Sequence, residues 1–412
     1  MVAAPALLHE SDTFRRFWTG QVASLVGDQI TIIAMPLVAV LVLDAGAAQM
    51  GYLTAAALLP NLLFALHFGA WVDRRGRRRQ VMIAADLGRA FLLLTVPVAY
   101  AVGILTIEQL YVVAFLMGTL SVLFSVSYST LVVSIVPRER YVEANQLLNG
   151  SRALSYVGGP SLGGLLVQVL SAPVALLADV VSFLGSAVLL RRIDPPEPPT
   201  EQAAKGHLAA GARFLWRQPL LRASLAASAT INLFNFAFFA IFVLYATRAL
   251  GVAPGTLGLV LGAGAAGAVI GSMVTGRVAR RIGIGPAFIV GCALFPAPLL
   301  LVPAAGGPRP VVLAMLFLAE FGSGLGVMLL DIAAGSIFQA LVPDRLRARF
   351  QGAYMVVNYG VRPLGGLLGG WLGSTIGLRG ALWVATVGAL AGVLFLLPSP
   401  MPRLRDLPEQ AE

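Results

Sequence analysis

The chain has 412 residues, 58% of them hydrophobic and only 12% charged, with a formal net charge of +10. Twelve membrane helices of roughly twenty residues need about 240 apolar positions, and 58% of this chain is about 239. A soluble fold of this length cannot hide so much apolar surface behind a wetted exterior, so a water-soluble enzyme, a disordered chain and a disulfide-stapled secreted domain are all excluded. With Cys292 as the single cysteine and three histidines (His9, His67, His207), a Cys- or His-based metal site is not expected.

Apolar runs broken by short polar or Gly/Pro-rich turns predict an all-α polytopic membrane protein. In chain order its twelve spans are 16–43, 48–72, 80–102, 108–136, 144–170, 173–191, 220–247, 254–279, 285–304, 310–342, 347–375 and 379–398. Glu10, Asp12, Arg15 and Arg16 precede the first run, which reads as an uncleaved helix and not as a signal peptide. The longest runs exceed the ~20 residues a bilayer needs and therefore tilt or project into water.

Charge orients the spans. With both termini and every second loop placed in the cytoplasm, 23 of the 29 Lys and Arg fall on that side. Only Arg248, Arg309 and Arg379 fall opposite, while Arg89, Arg152 and Arg362 lie within spans. That asymmetry is the positive-inside signature, and it accounts for the basic charge without any nucleic acid. Arginine is nearly the only base, Lys205 being the one lysine. This resembles the coding bias of a GC-rich bacterium, so the expected site is the bacterial cytoplasmic (inner) membrane.

The chain also repeats itself. Gly69-x3-Asp73-Arg74-Arg75-Gly76 after the second span matches Gly276-x3-Arg280-Arg281-Ile282-Gly283 after the eighth, at an offset of 207. Val136-Pro137-Arg138 matches Val342-Pro343-Asp344 at 206, and Gly159-Pro160-x2-Gly163-Gly164 meets Arg362-Pro363-x-Gly365-Gly366 at 203. Half of 412 is 206, so two six-helix repeats are expected. The domains follow: 1–193 for the first half, 194–219 for a cytoplasmic linker, 220–400 for the second half and 401–412 for a tail. Within the linker, Pro195, Pro196, Pro198 and Pro199 form a stiff spacer, and Arg213, Phe214, Trp216 and Arg217 mark an amphipathic helix on the inner membrane surface.

Six plus six spans with Gly-x3-Asp-Arg-x-Gly-Arg-Arg after the second resemble the major facilitator superfamily. The stretches Phe14 to Asp28, Ala85-Asp86-x-x-Arg89-Ala90, Asp179-x-x-Ser182-Phe183, Gly211 to Pro219 and Val342 to Arg347 are similar to its bacterial drug:proton antiporters, the group containing macrolide efflux proteins and the enterobactin exporter. The resemblance implies a central cavity lined by spans 1, 4, 7 and 10. It implies a conformational latch from Gly69, Asp73, Arg74, Gly76, Arg77 and Arg78, with Asp73 placed at the N-terminus of the eleventh helix. It also implies an antiporter bend at Gly159, Pro160, Gly163 and Gly164. The chain departs from the pattern at Ser155 and Gln146, and in having no arginine within the fourth span.

Ionisable side chains at membrane depth cost roughly 2.5–3.5 kcal/mol each on insertion scales, so their presence calls for a reason. Asp28 lies near the middle of the first span, with Gln21 two turns earlier on nearly the same face. Glu320 and Asp331 are three turns apart in the tenth span, about 16 Å along the axis. These three acids are expected to couple protons to substrate, because a carboxyl removed from water is readily kept neutral. Arg362 either neutralises a cavity acid or attracts an anion. Tyr128, Asn232, Phe234, Asn235, Phe238 and Asn358, with Gln21, are the expected cavity walls for a bulky amphipathic substrate. Asp86 with Arg89 at i, i+3 reads as a local ion pair, and Asp179 and Arg152 as structural.

Other motif matches lack their context. Gly159-Pro160-Ser161-Leu162-Gly163 fits a hydrolase elbow, but Ser161 lies in an apolar helix without a partner histidine. Asn149-Gly150-Ser151 lies at the wrong membrane face for glycosylation, and no Gly-Lys-Ser/Thr phosphate loop exists. The expectation is a proton-coupled exporter of hydrophobic or amphipathic small molecules. It would act as a monomer in the bilayer, with no ATPase subunit, no nucleic acid and no cofactor beyond the proton gradient. Siderophore or secondary-metabolite export is the alternative, and a non-transporting scramblase or sensor on the same scaffold the rival from another class.

Overall fold

The computed structural model describes residues 6–194 and 208–407, apart from a few side chains within them, Asp73, Arg75 and Arg345 included. The proline spacer, Lys205 and the end of the tail lie outside the described residues. All regular structure among the described residues is helical.

The long helices are α1 (Asp12–Leu41), α2 (Ala47–Arg75), α3 (Arg78–Ala101), α4 (Ile107–Ile135), α5 (Tyr141–Leu170) and α6 (Ala172–Arg191). They are followed by α7 (Pro219–Leu244), α8 (Pro254–Ile282), α9 (Ile284–Leu294), α10 (Arg309–Leu341), α11 (Asp344–Thr375) and α12 (Gly377–Ala391). Local chemistry sets their ends. Ser11 caps α1 by accepting from Phe14 N at 3.2 Å, and Thr106 caps α4 by accepting from Gln109 N at 3.3 Å. The turn from α2 to α3 passes through Gly76 at φ +66°, and the turn into α12 through Gly377 at φ +79°, conformations that side chains disfavour.

Among the described residues, eleven segments are long and apolar enough to cross a membrane by length and composition. The exception is α11, 32 residues long but with Gln351, Asn358, Tyr359 and Arg362 along it. A helix that turns polar groups toward an interior cavity loses mean hydropathy without losing its span. The ninth expected span is broken: after α9 the chain tightens into a 3-10 turn at Ala297–Leu300, where Pro296 and Pro298 deny an α-helix its hydrogen bonds. The seventh ends in a wide π turn, Tyr245–Ala249. Large apolar side chains face outward, among them Leu154 (75% exposed) and Phe91 (69%), a surface suited to lipid.

Two compact units divide the chain, each with a short segment exchanged from the other half. One unit holds α1, α2 from Ala56 onward, α3 to α6, and Ala253–Leu259 at the start of α8. The other holds Gly46–Ala55 at the start of α2, then α7, α8 from Val260, and α9 to α12. Small residues explain these exchanges. In the first unit a Cβ on Gly164 would meet Pro254 O and Gly258, and Gly255 N donates to Gln168 Oε1 at 2.9 Å. In the second, a Cβ on Gly51 would lie 2.7 Å from Gly366 O and 2.8 Å from Gly370 Cα. Glycine pairs of this kind let membrane helices approach backbone to backbone.

The amphipathic stretch of the linker is helical over Leu208–Arg217, and it docks onto the second unit. Gly211 sits against the backbone of Arg349 and Phe350, Leu215 is buried, and Trp216 stays 66% exposed. The expected surface helix is thus anchored to the base of α11. Past α12 the chain returns as a strap, with Ile284 N donating to Arg405 O (3.1 Å) and Gly285 N to Leu404 O (2.8 Å). Two N–H groups at the start of α9, which no helix turn can satisfy, are paired in this way.

Candidate functional site

The first unit buries a polar cluster among α1, α3 and α6. Arg89 bonds Asp86 one turn away in α3, and its guanidinium also stands 3.8 Å from Asp28 of α1. Two rings hold it in place, Phe124 at 4.5 Å and Phe183 at 4.2 Å from ring centroid to guanidinium carbon. On α6, Asp179 accepts from Thr31 at 2.5 Å and from Ser182 at 2.7 Å. Gly27 makes this proximity possible, since a Cβ there would run into Asp179 Oδ1 and Ser182 Oγ. Asp28 and Asp86 therefore face one arginine, with Asp179 packed beside them against Gly27. Exposure separates their roles. The Asp28 side chain is 38% exposed, against 3% for Arg89 and 0% for Asp86.

Of the residues expected from sequence, Asp28 is in this cluster. Asp86 and Arg89, read as a purely local pair, are joined to it through Asp28, and Asp179 bonds hydroxyls while Arg152 stays exposed. The i, i+3 spacing revealed the pair but not its third member, which comes from another helix. Gln21 is buried with an unpartnered Nε2, and Tyr128 stacks on Phe17 with centroids 5.5 Å apart.

The second unit contains a cavity of about 930 Å³. Asn232 and Asn235 of α7, Asp331 of α10, and Tyr354, Asn358 and Arg362 of α11 line it. Arg362 lies 3.9 Å from the Tyr359 ring centroid and 5.1 Å from that of Phe236. At the cavity rim, Asp344 pairs with Arg347 at 2.6 Å. Phe234 and Phe238 are not among its walls. Phe234 rests on Gly388 of α12, and Phe238 is 1% exposed, stacked on Phe242 at 5.2 Å. Phe236, unremarked in the sequence, takes the wall position. Helical phase explains this, because one full turn separates Asn232 from Phe236 whereas two residues carry Phe234 to the far side.

Glu320 and Asp331 share α10 but not surroundings. Asp331 opens into the cavity, whereas Glu320 is 5% exposed. A Cβ on Gly264 of α8 would lie 3.3 Å from Glu320 Oε2, and Glu320 Oε1 has no hydrogen-bond partner.

At the α2–α3 turn, Arg74 and Arg77 are exposed and Arg78 is buried. Gly69 has open space about it, and the Asp73 side chain lies outside the described residues, as does any bond it makes. Arg79, not singled out from sequence, bonds Ile193 O and Asp194 (3.3 Å) at the end of α6. In α5, Gly159 abuts the Gln29 side chain and Gly163 lies 3.0 Å from Ile30 Cα by a built Cβ, while Pro160 O faces Gly258. Among the described residues no group of His, Cys, Asp and Glu could hold a metal ion.

The fold is polytopic and helical with charged clusters buried inside it, and sequence comparison gives its class, a membrane transporter. A profile of the Major Facilitator Superfamily matches residues 17–362 and 225–412, and the chain belongs to that family. It is 26% identical over 396 residues to the multidrug efflux pump Tap of Mycolicibacterium fortuitum, covering 92% of this chain and 93% of that protein. It is 25% identical over 374 residues to the MFS-type transporter YkuC of Bacillus subtilis, covering 84% and 82%. Among solved structures, a mutant of the nucleoside transporter NupG superposes with a TM-score of 0.77 at 13% identity, covering 94% of this chain and 99% of that one. A bacterial homologue of the iron transporter ferroportin gives 0.75 at 18% identity, covering 94% and 98%. Those superpositions show the twelve-helix fold.

Proposed function

We propose that this transporter exports hydrophobic or amphipathic small molecules by alternating access, driven by the proton gradient of a bacterial cytoplasmic membrane. Both termini face the cytoplasm in this reading, as the asymmetry of Lys and Arg favours. The likeness to the Tap efflux pump supports the direction and the type of cargo.

The observation that carries proton coupling is the imbalance in the first unit. Three carboxyl groups lie about one guanidinium: Asp86 bonds it directly, Asp179 bonds hydroxyls instead, and Asp28, the most exposed of the three, stands 3.8 Å from it without a direct bond. With Arg89 and Asp86 neutralising each other, an ionised Asp28 beside Asp179 is an uncompensated pair of like charges. Taking up one proton relieves it, and releasing that proton restores the demand. Asp28 is thus the proton carrier, Asp179 its electrostatic partner, and Glu320 a second, isolated carboxyl. Asp331, Arg362 and the asparagines bind cargo. Gly69, Asp73, Arg74, Gly76, Arg77 and Arg78 form the latch, and Gly159, Pro160, Gly163 and Gly164 the packing joint of α5.

A susceptibility panel tests this reading. A pump-deficient bacterial host expressing the chain should tolerate several amphipathic drugs about fourfold or more better than the empty host, and a protonophore should erase the difference. Protection that survives the protonophore would remove the proton from the mechanism.

A further inference from the structure

Two side chains that line the second-unit cavity each hold a buried polar atom without a hydrogen-bond partner, Asn358 Oδ1 and Arg362 Nε. Buried polar atoms are ordinarily paired, so two orphans in the wall of one concavity mark a place where a ligand supplies the partners. Their chemistry is not alike. Arg362 Nε can only donate and Asn358 Oδ1 can only accept, so the ligand must bring both an acceptor and a donor.

The charges point the same way. Asp344 is already neutralised by Arg347 at 2.6 Å. Asp331 and Arg362 line the same cavity and feel each other's charge, yet no direct ion pair joins them. Arg362 is instead held over Tyr359 and Phe236. One positive and one negative group thus line the cavity without a direct ion pair, and Phe338 and Phe350 add apolar wall. A cation alone would leave Arg362 unpaired beside a like charge. An anion alone would do the same to Asp331.

We infer that the second-unit cavity is built for zwitterionic amphiphiles: an apolar body with an anionic oxygen that accepts from Arg362 and a protonated amine that donates to Asp331 and Asn358. This deepens the reading of the chain as an exporter and rests on it for the role of the bound molecule. The volume of about 930 Å³ admits a cargo of drug size.

The test uses the full chain in lipid nanodiscs and two fluorescent probes: ciprofloxacin, a zwitterion near neutral pH, and its methyl ester, which keeps the amine but lacks the carboxylate. The zwitterion should bind about tenfold or more tightly than the ester, as expected for one charge-assisted hydrogen bond in a closed site. Arg362→Gln should remove that preference by weakening the zwitterion alone, and Asp331→Asn should weaken both probes. Should Arg362→Gln fail to fold, the wild-type preference decides, with Arg362→Lys expected to keep part of it. Equal affinities, a preference for the ester, no binding of either probe, or an Arg362→Gln protein that still prefers the zwitterion would overturn the inference. Gradient-driven export alongside equal affinities would overturn the inference and leave the exporter standing. The predicted preference without any gradient-driven movement would support the cavity chemistry and defeat the exporter.

Discussion

Arg89 is tightly constrained, because its charge is compensated by side chains from more than one helix. Asp86→Asn would leave that guanidinium buried between its two rings, with Asp28 at 3.8 Å as the remaining ion-pair partner. Breaking a buried pair from one side costs about 3–5 kcal/mol, so this variant should unfold at a clearly lower temperature in detergent. Replacing the pair together, Asp86→Leu with Arg89→Met, should recover most of the loss, since no charge is then stranded. Asp28→Asn should behave differently: its side chain is the exposed member, so thermal stability should stay near wild type while substrate-dependent proton release disappears. Proteoliposomes loaded with a pH dye measure the release, and a thermal melt checks the fold. Much of this cluster was hidden in the sequence. Asp28 stood out as a charge in an apolar run, and Asp86 with Arg89 as a helical pair. The bond from Thr31 to Asp179 crosses 148 residues of chain, and no local spacing encodes it.

Glycine contacts set the fit between helices. Gly27→Ala would drive a methyl group into Asp179 and Ser182, in a place where α1 and α6 cannot separate cheaply. Overpacking of this kind costs about 1–3 kcal/mol, and here it should also lower proton coupling, because Asp179 must move away from Thr31. Gly185→Ala, on α6 with open space around it, should change neither quantity and serves as the control. At the other end of the chain, removing residues from Met401 onward would free Ile284 N and Gly285 N from the strap. Hydrogen exchange should then rise most at the start of α9, where the two bonds and the packing of buried Met401 are lost. The spans themselves were legible, with the charge asymmetry and the repeat reinforcing the hydropathy. The breaks were less so. The prolines at 296 and 298 were visible, but a continuous apolar run masked their effect, and the docking of Leu208–Arg217 depends on a groove that α11 creates.

At the scale of the molecule, the two repeats carry different chemistry on related frames. One holds a compact acid cluster with an aromatic clamp, the other a cavity with separated charges. The offsets near 206 residues predict a shared frame, but such a repeat does not specify which side chains each copy turns inward. This difference predicts separable defects: Asp28→Asn should spare probe binding, and Asp331→Asn should weaken it. The most direct test of the account is an acid gradient imposed on liposomes containing only the purified chain and an amphipathic drug. The drug should move against its own gradient when protons can flow the other way, and Asp28→Asn should abolish that movement. Drug flux of the same rate with and without the gradient would contradict proton-driven export, though the twelve-helix frame would remain.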